Sequence, residues 1–495
     1  MGPGGSAADS GHAEEHDQSQ PRGKHTGAGW PNANSPDEAA RGTGDRRADA
    51  RDAAYPGSGT MGDVTEQTTA TTPLASRSAA ELAHFAEEQQ AAYDALRARG
   101  LALDLTRGKP SSAQLDLAHG LLSLPRGYLD ASGTDVRNYG GLQGIAELRQ
   151  IFAELLWVEP EQVVAGGNSS LTMMRDVLVD LWLHGAVDSE RPWGQEEKVT
   201  FICPVPGYDR HFTLLEWFGI DMVTVPMRED GPDAEACARL AASDPSIKGM
   251  WVVPTYANPS GSITTQEVAA HLVSMETAAP DFKIFWDNAY AFHHLTKDEA
   301  KSADVLSLAA AVGHPHRPLT FASTSKITLA GAGVGFLAAS TGNVKWFLDH
   351  LGKGSIGPDK VNQLRHAQFF GSAQGVRDHM VGHREVIAPK FAEVERVLDS
   401  RLSGLDVATW THPTGGYFVS LDVMDGTASR VIELAAEAGV ALTPAGSAFP
   451  RRHDPRDRNI RIAPTFPPLE QVTEAMEAVA TCVLLAAVER VRARA

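Results

Sequence analysis

The chain of 495 residues has little cysteine, no excess of positive charge and no long apolar run. Its three cysteines, Cys203, Cys237 and Cys482, are an odd number at wide spacing, which suggests neither a disulfide framework nor a zinc knuckle. They indicate buried thiols in a reducing compartment. No metal site is predicted.

Basic residues are outnumbered by acidic ones, 44 to 62, which gives a formal net charge of −18. Binding to nucleic acid or to an anionic membrane surface requires an excess of Lys and Arg, so neither partner is predicted. The N-terminus lacks a basic stretch followed by an apolar core, and the most apolar run near the C-terminus, residues 482–488, is too short to cross a bilayer. These absences predict a cytoplasmic protein that acts on small molecules.

Large aliphatic side chains are almost absent from residues 1–75, which are rich in Gly, Ala, Ser, Asp, Thr and Pro. Such a segment cannot bury enough apolar surface to offset the entropy of ordering, so it is predicted to be a disordered N-terminal extension. Order should begin at residues 78–81, a capping-box sequence that opens an amphipathic helix ending near Gly100.

From about residue 135 the pattern of strand, Gly or Pro turn, and helix repeats, which is typical of an α/β fold with a mostly parallel central sheet. In such sheets, ligands bind beyond the carboxyl ends of the strands, where polar residues of this chain should converge. The candidate buried strands are residues 162–165, 199–203, 250–253, 284–286 and 319–321.

The pattern of predicted helices and strands changes after about residue 350, where we expect a smaller α+β domain. Residues 125–350 are predicted to form the large, ligand-binding domain, and residues 76–124 and 351–495 the small one. The elements predicted in the later part are a helix at 389–402, strands at 417–423 and 460–462, and a closing helix from about residue 469.

One lysine, Lys326, lies between two serines and a glycine-rich apolar run within residues 321–335. This setting favours a desolvated, neutral amine, the form that condenses with an aldehyde to give a Schiff base. The pattern points to pyridoxal 5'-phosphate (PLP), and the hydroxyls of Ser323 and Ser325 suit its phosphate group. Taken alone, the motif also fits a solvated loop lysine.

Polar residues after other predicted strands supply further parts of a PLP site. Asp287 ends a buried strand, where a carboxylate could keep the ring nitrogen of PLP protonated; a helix N-cap is the alternative. Asn168, Ser169 and Ser170 open a helix, and the N–H groups of a helix N-terminus bind phosphate.

The sequence offers partners for the PLP ring as well. Tyr208 follows a strand end and could stack on the ring, whereas His211 could support the Asp287 carboxylate or be structural. Asn258, in a turn, could hold the ring hydroxyl. Arg461 lies in an alternating strand and could bind the α-carboxylate of an amino acid, although a surface arginine on an edge strand fits the same pattern.

In their order, these motifs resemble the fold-type I PLP-dependent aminotransferases of the class I/II superfamily. Residues 138–144, 323–328 and 460–466 resemble, more narrowly, bacterial aspartate aminotransferases close to the aminotransferase domain of MocR-type regulators. The resemblance spans about residues 80–490. It implies an α/β fold of fold-type I, with the large domain binding PLP.

Carried over by position, the resemblance implies that Lys326 forms the Schiff base with PLP and shuttles the proton. It implies Asp287 at the ring nitrogen and Tyr290 with Asn258 at the ring hydroxyl. Tyr139 would reach the phosphate of a neighbouring subunit, which implies a homodimer with shared sites. The remaining roles match those above: Tyr208 at the ring, Asn168, Ser169, Ser323 and Ser325 at the phosphate, and Arg461 at the α-carboxylate.

The chain departs from this pattern at one point. Many relatives carry an arginine about eight residues after the lysine, where residues 330–335 here contain only Ala, Gly and Val. Arg107, Lys109 and Lys360 are the candidate cations for the phosphate or for a second carboxylate of the substrate. Gly108, in the same turn as Lys109, is assigned with it to the substrate site.

The leading hypothesis is amino-group transfer between L-aspartate or L-glutamate and a 2-oxo acid. The same fold and lysine also serve PLP-dependent elimination and decarboxylation, so a lyase or decarboxylase stays open. A PLP-sensing transcription regulator is disfavoured, because residues 1–75 show no helix-turn-helix pattern and no basic face.

Overall fold

The computed structural model describes residues 72–494 of the chain. The predicted disordered extension therefore lies almost entirely outside the described residues. At its end the prediction is wrong, because Leu74 is buried and its backbone N–H donates to the carbonyl of Leu405 at 2.8 Å. The capping box predicted at residues 78–81 is present, with Ser78 as the N-cap of the first helix.

The helices lie in chain order as follows: α1 (Ala79–Ala98), α2 (Ser112–Leu117), α3 (Ala146–Leu156), α4 (Ser170–His184), α5 (Asp209–Phe218), α6 (Ala234–Ser243), α7 (Gln266–Ser274), α8 (Val305–Ala311), α9 (Thr341–Gly354), α10 (Lys360–Phe370), α11 (Ala373–Leu402), α12 (Ala428–Glu437) and α13 (Leu469–Arg492).

The strands are β1 (Leu103–Asp104), β2 (Val163–Ala165), β3 (Thr200–Val205), β4 (Asp221–Arg228), β5 (Gly231–Pro232), β6 (Ile247–Val252), β7 (Lys283–Asp287), β8 (Pro318–Ser323), β9 (Gly335–Ala339), β10 (Ala408–Trp410), β11 (Val419–Val423), β12 (Val440–Ala441) and β13 (Asn459–Ile462).

The central sheet has eight strands in the order β2-β9-β8-β7-β6-β3-β4-β5. Strands β8, β7, β6, β3 and β4 pair in parallel, whereas β9 and β5 run antiparallel to their neighbours. The inner strands are almost wholly buried because the sheet is covered on both faces. Their carboxyl ends consequently meet at one edge, as the sequence predicts.

Two small sheets lie outside the central one. Strands β10, β11 and β13 form an antiparallel sheet, and β1 pairs in parallel with β12 through Leu103 and Val440. These strands share a hydrophobic cluster with α1, α12, α13 and the second half of α11. This cluster joins elements from both ends of the described chain.

Helix α11 contacts both hydrophobic cores. Val376 and Met380, in its first half, pack with the central-sheet cluster, whereas Val394 and Leu398 pack with the cluster that contains α1 and α13. Pro389 lies inside the helix, so the prediction that a helix begins there is wrong. A proline inside a helix destabilises the helix by about 3 kcal/mol, and the packing of α11 against the two hydrophobic cores offsets this cost.

Helix α13 is long and apolar enough to cross a membrane by length and composition, but most of its apolar window is buried within the protein. It packs against α1, α11 and α12, as a core helix does. The three cysteines are free and buried, as predicted, and burial raises the pKa of the Cys237 and Cys482 thiols to about 12.

Candidate active site

Lys326 lies three residues beyond the end of β8, at the carboxyl edge of the central sheet. Its side chain is half-buried, and Nζ lies 4.9 Å from the centre of the Tyr290 ring. The amine is therefore less enclosed than the predicted desolvated lysine. It faces the aromatic and acidic groups that follow β7 and β3, because these strands end at the same edge.

Asp287 is the last residue of β7 and is buried together with His211. The two side chains meet at 3.0 Å between Nε2 and Oδ2, and the His211 ring stacks on Trp251 at 4.0 Å. Since a carboxylate only accepts hydrogen bonds, His211 is the donor. Oδ1 of Asp287 is buried and has no hydrogen-bond partner within residues 72–494.

Tyr290 and Asn258 lie between the lysine and the arginine of the site. Both are buried, and Nδ2 of Asn258 has no partner among the residues that the structure describes. Burial, assisted by the charge of Asp287, raises the pKa of Tyr290 above its usual range. The phenol is thus a neutral hydrogen-bond donor at physiological pH.

Tyr208 lies just before α5 and packs its ring edge-on against His211, with centroids 4.9 Å apart. Burial raises the pKa of its phenol to about 12, while the charge of Lys326 opposes the shift. Tyr208 therefore lies near Lys326, Asp287 and His211. Its phenol is neutral.

Arg461 projects from β13 with 11% of its side chain exposed. Its hydrogen bonds are long: Nη1 reaches Asp209 Oδ1 at 3.3 Å and Asn258 Oδ1 at 3.4 Å, and Nη2 reaches Thr443 Oγ1 at 3.4 Å. Nε is buried without a partner in the described part of the chain. A guanidinium in this setting is not a solvated edge arginine and has donors left for a carboxylate.

Ser169 is the N-cap of α4, where its side chain accepts from the backbone N–H of Thr172 at 3.2 Å. Ser323 donates to Ser325 at 2.8 Å, and Ser325 donates to the carbonyl of Asn168 at 3.2 Å. The start of α4, with Ser170 as its first residue, is therefore joined to the turn that carries Lys326.

The glycines that stand where relatives carry an arginine allow a close backbone approach. A Cβ at Gly335 would lie 2.7 Å from the backbone of Ser169, and one at Gly333 would lie 3.0 Å from Ser325 Oγ. Strand β9 thus runs against the N-terminus of α4. Backbone N–H groups and hydroxyls, rather than a cation on this segment, are available for a phosphate here.

Two of the candidate cations are Lys360 and Arg107. Lys360 is buried, and its Nζ donates to the carbonyls of Asn138 at 2.7 Å and Gly140 at 2.6 Å. These bonds commit its ammonium to the loop that carries Tyr139, which is 82% exposed. Arg107 is exposed.

The turn that carries Gly108 and Lys109 lies beside Arg461, whose Nη2 is 3.5 Å from the carbonyl of Thr106. Nζ of Lys109 lies 3.7 Å from the centre of the Phe466 ring. A Cβ at Gly108 would lie 2.2 Å from the ring of Phe418, and the guanidinium of Arg461 lies 4.9 Å from the centre of that same ring. The turn containing Gly108 and Lys109 therefore borders the arginine site.

The sequence reasoning missed several residues around the backbone of Lys326. His379 and His383, one turn apart on α11, both contact the carbonyl of Ile327, at 2.7 and 2.8 Å. His293 and Tyr417 contact the carbonyl of Lys326. A pair of histidines at i and i+4 is a visible signal, but the expected helix start at Pro389 left both outside any predicted element.

The residues present fit PLP. The buried atoms left unpaired in the described chain include a carboxylate oxygen of Asp287, the amide nitrogen of Asn258 and Nε of Arg461. They match a protonated ring nitrogen, a ring hydroxyl and a substrate carboxylate, in that order. Buried polar groups normally have partners, so unpaired ones at one sheet edge indicate a ligand site.

Residues 77–494 match the model of a protein family described as aspartate amino-transferase. A protein of Mycolicibacterium smegmatis is 60% identical over 407 residues, which cover 81% of this chain and 95% of the relative. An aspartate aminotransferase of Corynebacterium glutamicum is 56% identical over 407 residues, covering 82% of this chain and 94% of the relative.

A solved structure is also similar to this chain along most of its length. The crystal structure of an aspartate transaminase from Corynebacterium glutamicum matches with a TM-score of 0.84 and 54% identity. The match covers 85% of this chain and 100% of that one.

Proposed function

Because the chain belongs to the aspartate aminotransferase family, we propose that this aminotransferase uses PLP to move an amino group between L-aspartate or L-glutamate and a 2-oxo acid. The observation that supports an amino-acid substrate most directly is Arg461, a mostly buried guanidinium whose Nε is unpaired within residues 72–494. Such a group binds a carboxylate in a bidentate manner.

PLP, when bound, supplies an electron sink for the electron pair released at the substrate Cα. Asp287 Oδ1 would keep the ring nitrogen protonated, and the hydrogen bond from His211 to Oδ2 fixes the orientation of the carboxylate. Asn258 and the neutral phenol of Tyr290 would hold the ring hydroxyl, and Tyr208 would stack on the ring.

The start of α4, at Asn168, Ser169 and Ser170, together with Ser323 and Ser325, would hold the phosphate. Arg461 would bind the α-carboxylate of the substrate. The amine of Lys326 would take the proton from the substrate Cα as a general base and would carry it as a general acid in the reverse sense.

The second carboxylate of aspartate requires another cation, since a buried carboxylate that faces none is strongly disfavoured. We assign this role to Lys109, because its turn borders Arg461 through Phe418. Lys360 is a weaker candidate, because its ammonium already donates to two carbonyls.

The chain is further proposed to act as a cytoplasmic homodimer with two domains per subunit, the large one at residues 125–350 and the small one at 76–124 and 351–495. The exposure of Tyr139 supports the dimer, since a phenol this exposed is free to enter a neighbouring subunit. Lys360 braces the loop for that contact.

The proposal is tested by half-reaction rates of the PLP-loaded enzyme with a panel of L-amino acids. L-Aspartate and L-glutamate should react fastest, with 2-oxoglutarate or oxaloacetate as acceptors. Faster reaction of aromatic or branched amino acids would remove the dicarboxylate assignment while leaving amino-group transfer in place.

A pair of lysine variants tests the second cation. Lys109→Met should raise the KM for aspartate at least about 10-fold, as expected for a lost charged hydrogen bond, and leave the KM for alanine almost unchanged. Lys360→Met is the matched control and should affect both substrates alike. Normal aspartate kinetics in Lys109→Met would exclude Lys109 from this role.

A further inference from the structure

The turn that carries Lys326 leaves two carbonyls without backbone partners. The N–H groups of Ile327 and Thr328 both donate to the carbonyl of Thr324, at 2.9 and 2.8 Å, which closes a single helical turn. The chain does not continue as a helix, so no backbone N–H within residues 72–494 donates to the carbonyls of Lys326 and Ile327.

Four side chains take the place of the missing backbone donors. His293 Nε2 lies 3.2 Å and the Tyr417 hydroxyl 3.4 Å from the carbonyl oxygen of Lys326. His379 and His383 converge on the carbonyl oxygen of Ile327. Each oxygen thus receives two donors, one for each of its lone pairs.

The proton positions in this network follow from its acceptors. A carbonyl oxygen only accepts, so a histidine that donates to it carries a proton on Nε2. Nδ1 of His383 then accepts from the amide of Gln114 at 3.1 Å, and the same amide donates to the Tyr417 hydroxyl at 2.8 Å. The two rings on α11 converge so closely that His379 Nε2 and His383 Nε2 lie 3.2 Å apart.

Burial favours the neutral form of all three histidines, and His383 must be neutral for its Nδ1 to accept from Gln114. Burial, with a smaller effect from the charge of His383, lowers the pKa of His293 to about 3. Burial and the neighbouring His379 lower the pKa of His383 to about 4. The pKa of His379 is lowered by burial as well. A neutral ring has one N–H, so each of these histidines can donate one hydrogen bond at physiological pH.

We propose that His293, His379, His383 and Tyr417, the carbonyl clamp, are positioning residues that hold the backbone of Lys326 so that its amine stays aligned with the substrate Cα. The inference rests on the proposed role of Lys326 as the base. Proton transfer requires the amine within hydrogen-bonding reach of that proton, and small displacements of a reacting group cost much of the rate.

The clamp also joins Lys326 to the substrate-binding arginine. Tyr417 precedes Phe418, whose ring lies under the guanidinium of Arg461. The clamp and the carboxylate site thus share one stretch of chain, which fixes the base relative to the bound substrate. A purely structural packing of histidines would not require this shared segment.

The test compares clamp variants with a matched control in the PLP-loaded full chain. His379→Leu and His383→Leu each remove one donor, and His383→Gln retains a donor. His379 is only half-buried, so its replacement is compatible with folding. The control is His316→Leu, a half-buried histidine bonded to Ser340 at 2.8 Å near the opposite end of β8.

Three quantities are measured for each variant: the half-reaction rate with aspartate, its KM, and the pH midpoint of the visible band of the lysine-linked cofactor. Each Leu variant in the clamp should lower the rate about 3- to 10-fold with little change in KM, the effect of one hydrogen bond. The midpoint should shift by about 0.5 to 1 pH unit. His383→Gln should restore most of the rate and most of the pH midpoint, and His316→Leu should change neither.

The clamp is excluded if His379→Leu and His383→Leu behave like His316→Leu, or if His383→Gln is as impaired as His383→Leu. The spectral midpoint is independent of turnover. If the wild-type enzyme transferred no amino group, the proposed function would fail while the midpoints still decided the clamp.

Discussion

Lys326 combines a half-buried side chain with a turn in which four side chains contact its own carbonyl and that of Ile327. Lys326→Ala should abolish turnover and leave a folded protein, because the clamp binds backbone carbonyls and not the amine. Absorbance spectra and melting curves of the purified variant check both statements. A variant that kept the pH-sensitive visible band would show that another lysine binds the cofactor.

Asp287 offers a second test at the residue scale. Asp287→Asn keeps the shape but removes the charge that holds the ring nitrogen protonated. A charge-assisted hydrogen bond is worth about 1.5–3 kcal/mol, so the rate should fall at least about 10- to 150-fold. Half-reaction kinetics with aspartate measure the loss, and wild-type rates would take Asp287 out of the site.

Sequence reasoning located residues best where a strand end alone determines their position. Asp287 and Lys326 follow buried parallel strands, so the sheet itself brings them together. The contacts of Lys360 could not be predicted in the same way, since its long side chain reaches a loop more than two hundred residues away. The clamp histidines were missed because their partners are backbone carbonyls, which have no sequence signature.

Among the structural elements, the turn after β1 shows why a glycine is needed beside the arginine site. A Cβ at Gly108 would meet the Phe418 ring at 2.2 Å, well inside contact distance. Gly108→Ala should therefore displace the ring beneath Arg461 and raise the KM for aspartate several-fold, of the order expected for a weakened hydrogen bond. Steady-state kinetics at varied aspartate check the effect.

Gly120→Ala serves as the control for this change, because its Cβ would meet Phe369 at an ordinary 3.6 Å. Its KM should equal that of the wild type. Equal KM values in Gly108→Ala and Gly120→Ala would show that the Phe418 ring does not support the substrate site.

The main elements of the α/β fold followed from hydrophobic patterning, and the family match and solved relative confirm the predicted fold class. Strand β9 was not predicted, because the glycine-rich run before it reads as a loop and its own five residues are short and rich in alanine. Helix α11 is longer than predicted. A proline disfavours the helical conformation of the residue before it, so the sequence pattern predicts a helix boundary at Pro389. In the structure the helix continues through Pro389, because it packs against two hydrophobic cores.

At the scale of the whole molecule, the proposed dimer predicts complementation between two inactive variants. Lys326→Ala and Tyr139→Ala subunits, mixed and exchanged, should regain activity, because one site of each mixed dimer has both groups intact. Random pairing makes half the dimers mixed, each with one working site, so about a quarter of wild-type activity is the ceiling. Activity after mixing is compared with each variant alone, and no recovery despite proven subunit exchange would place Tyr139 outside a shared site.

The pairing of both chain ends in the small core sets an order for folding during synthesis. Strand β1 pairs with β12 and helix α1 packs on α13, so residues near the start of the described chain find these partners only after residues far later in the chain have been synthesised. The strands of the central sheet, which end with β9, are all made before α13. The core that joins α1 to α13 therefore forms late in folding, after the sheet that carries Lys326 can already assemble.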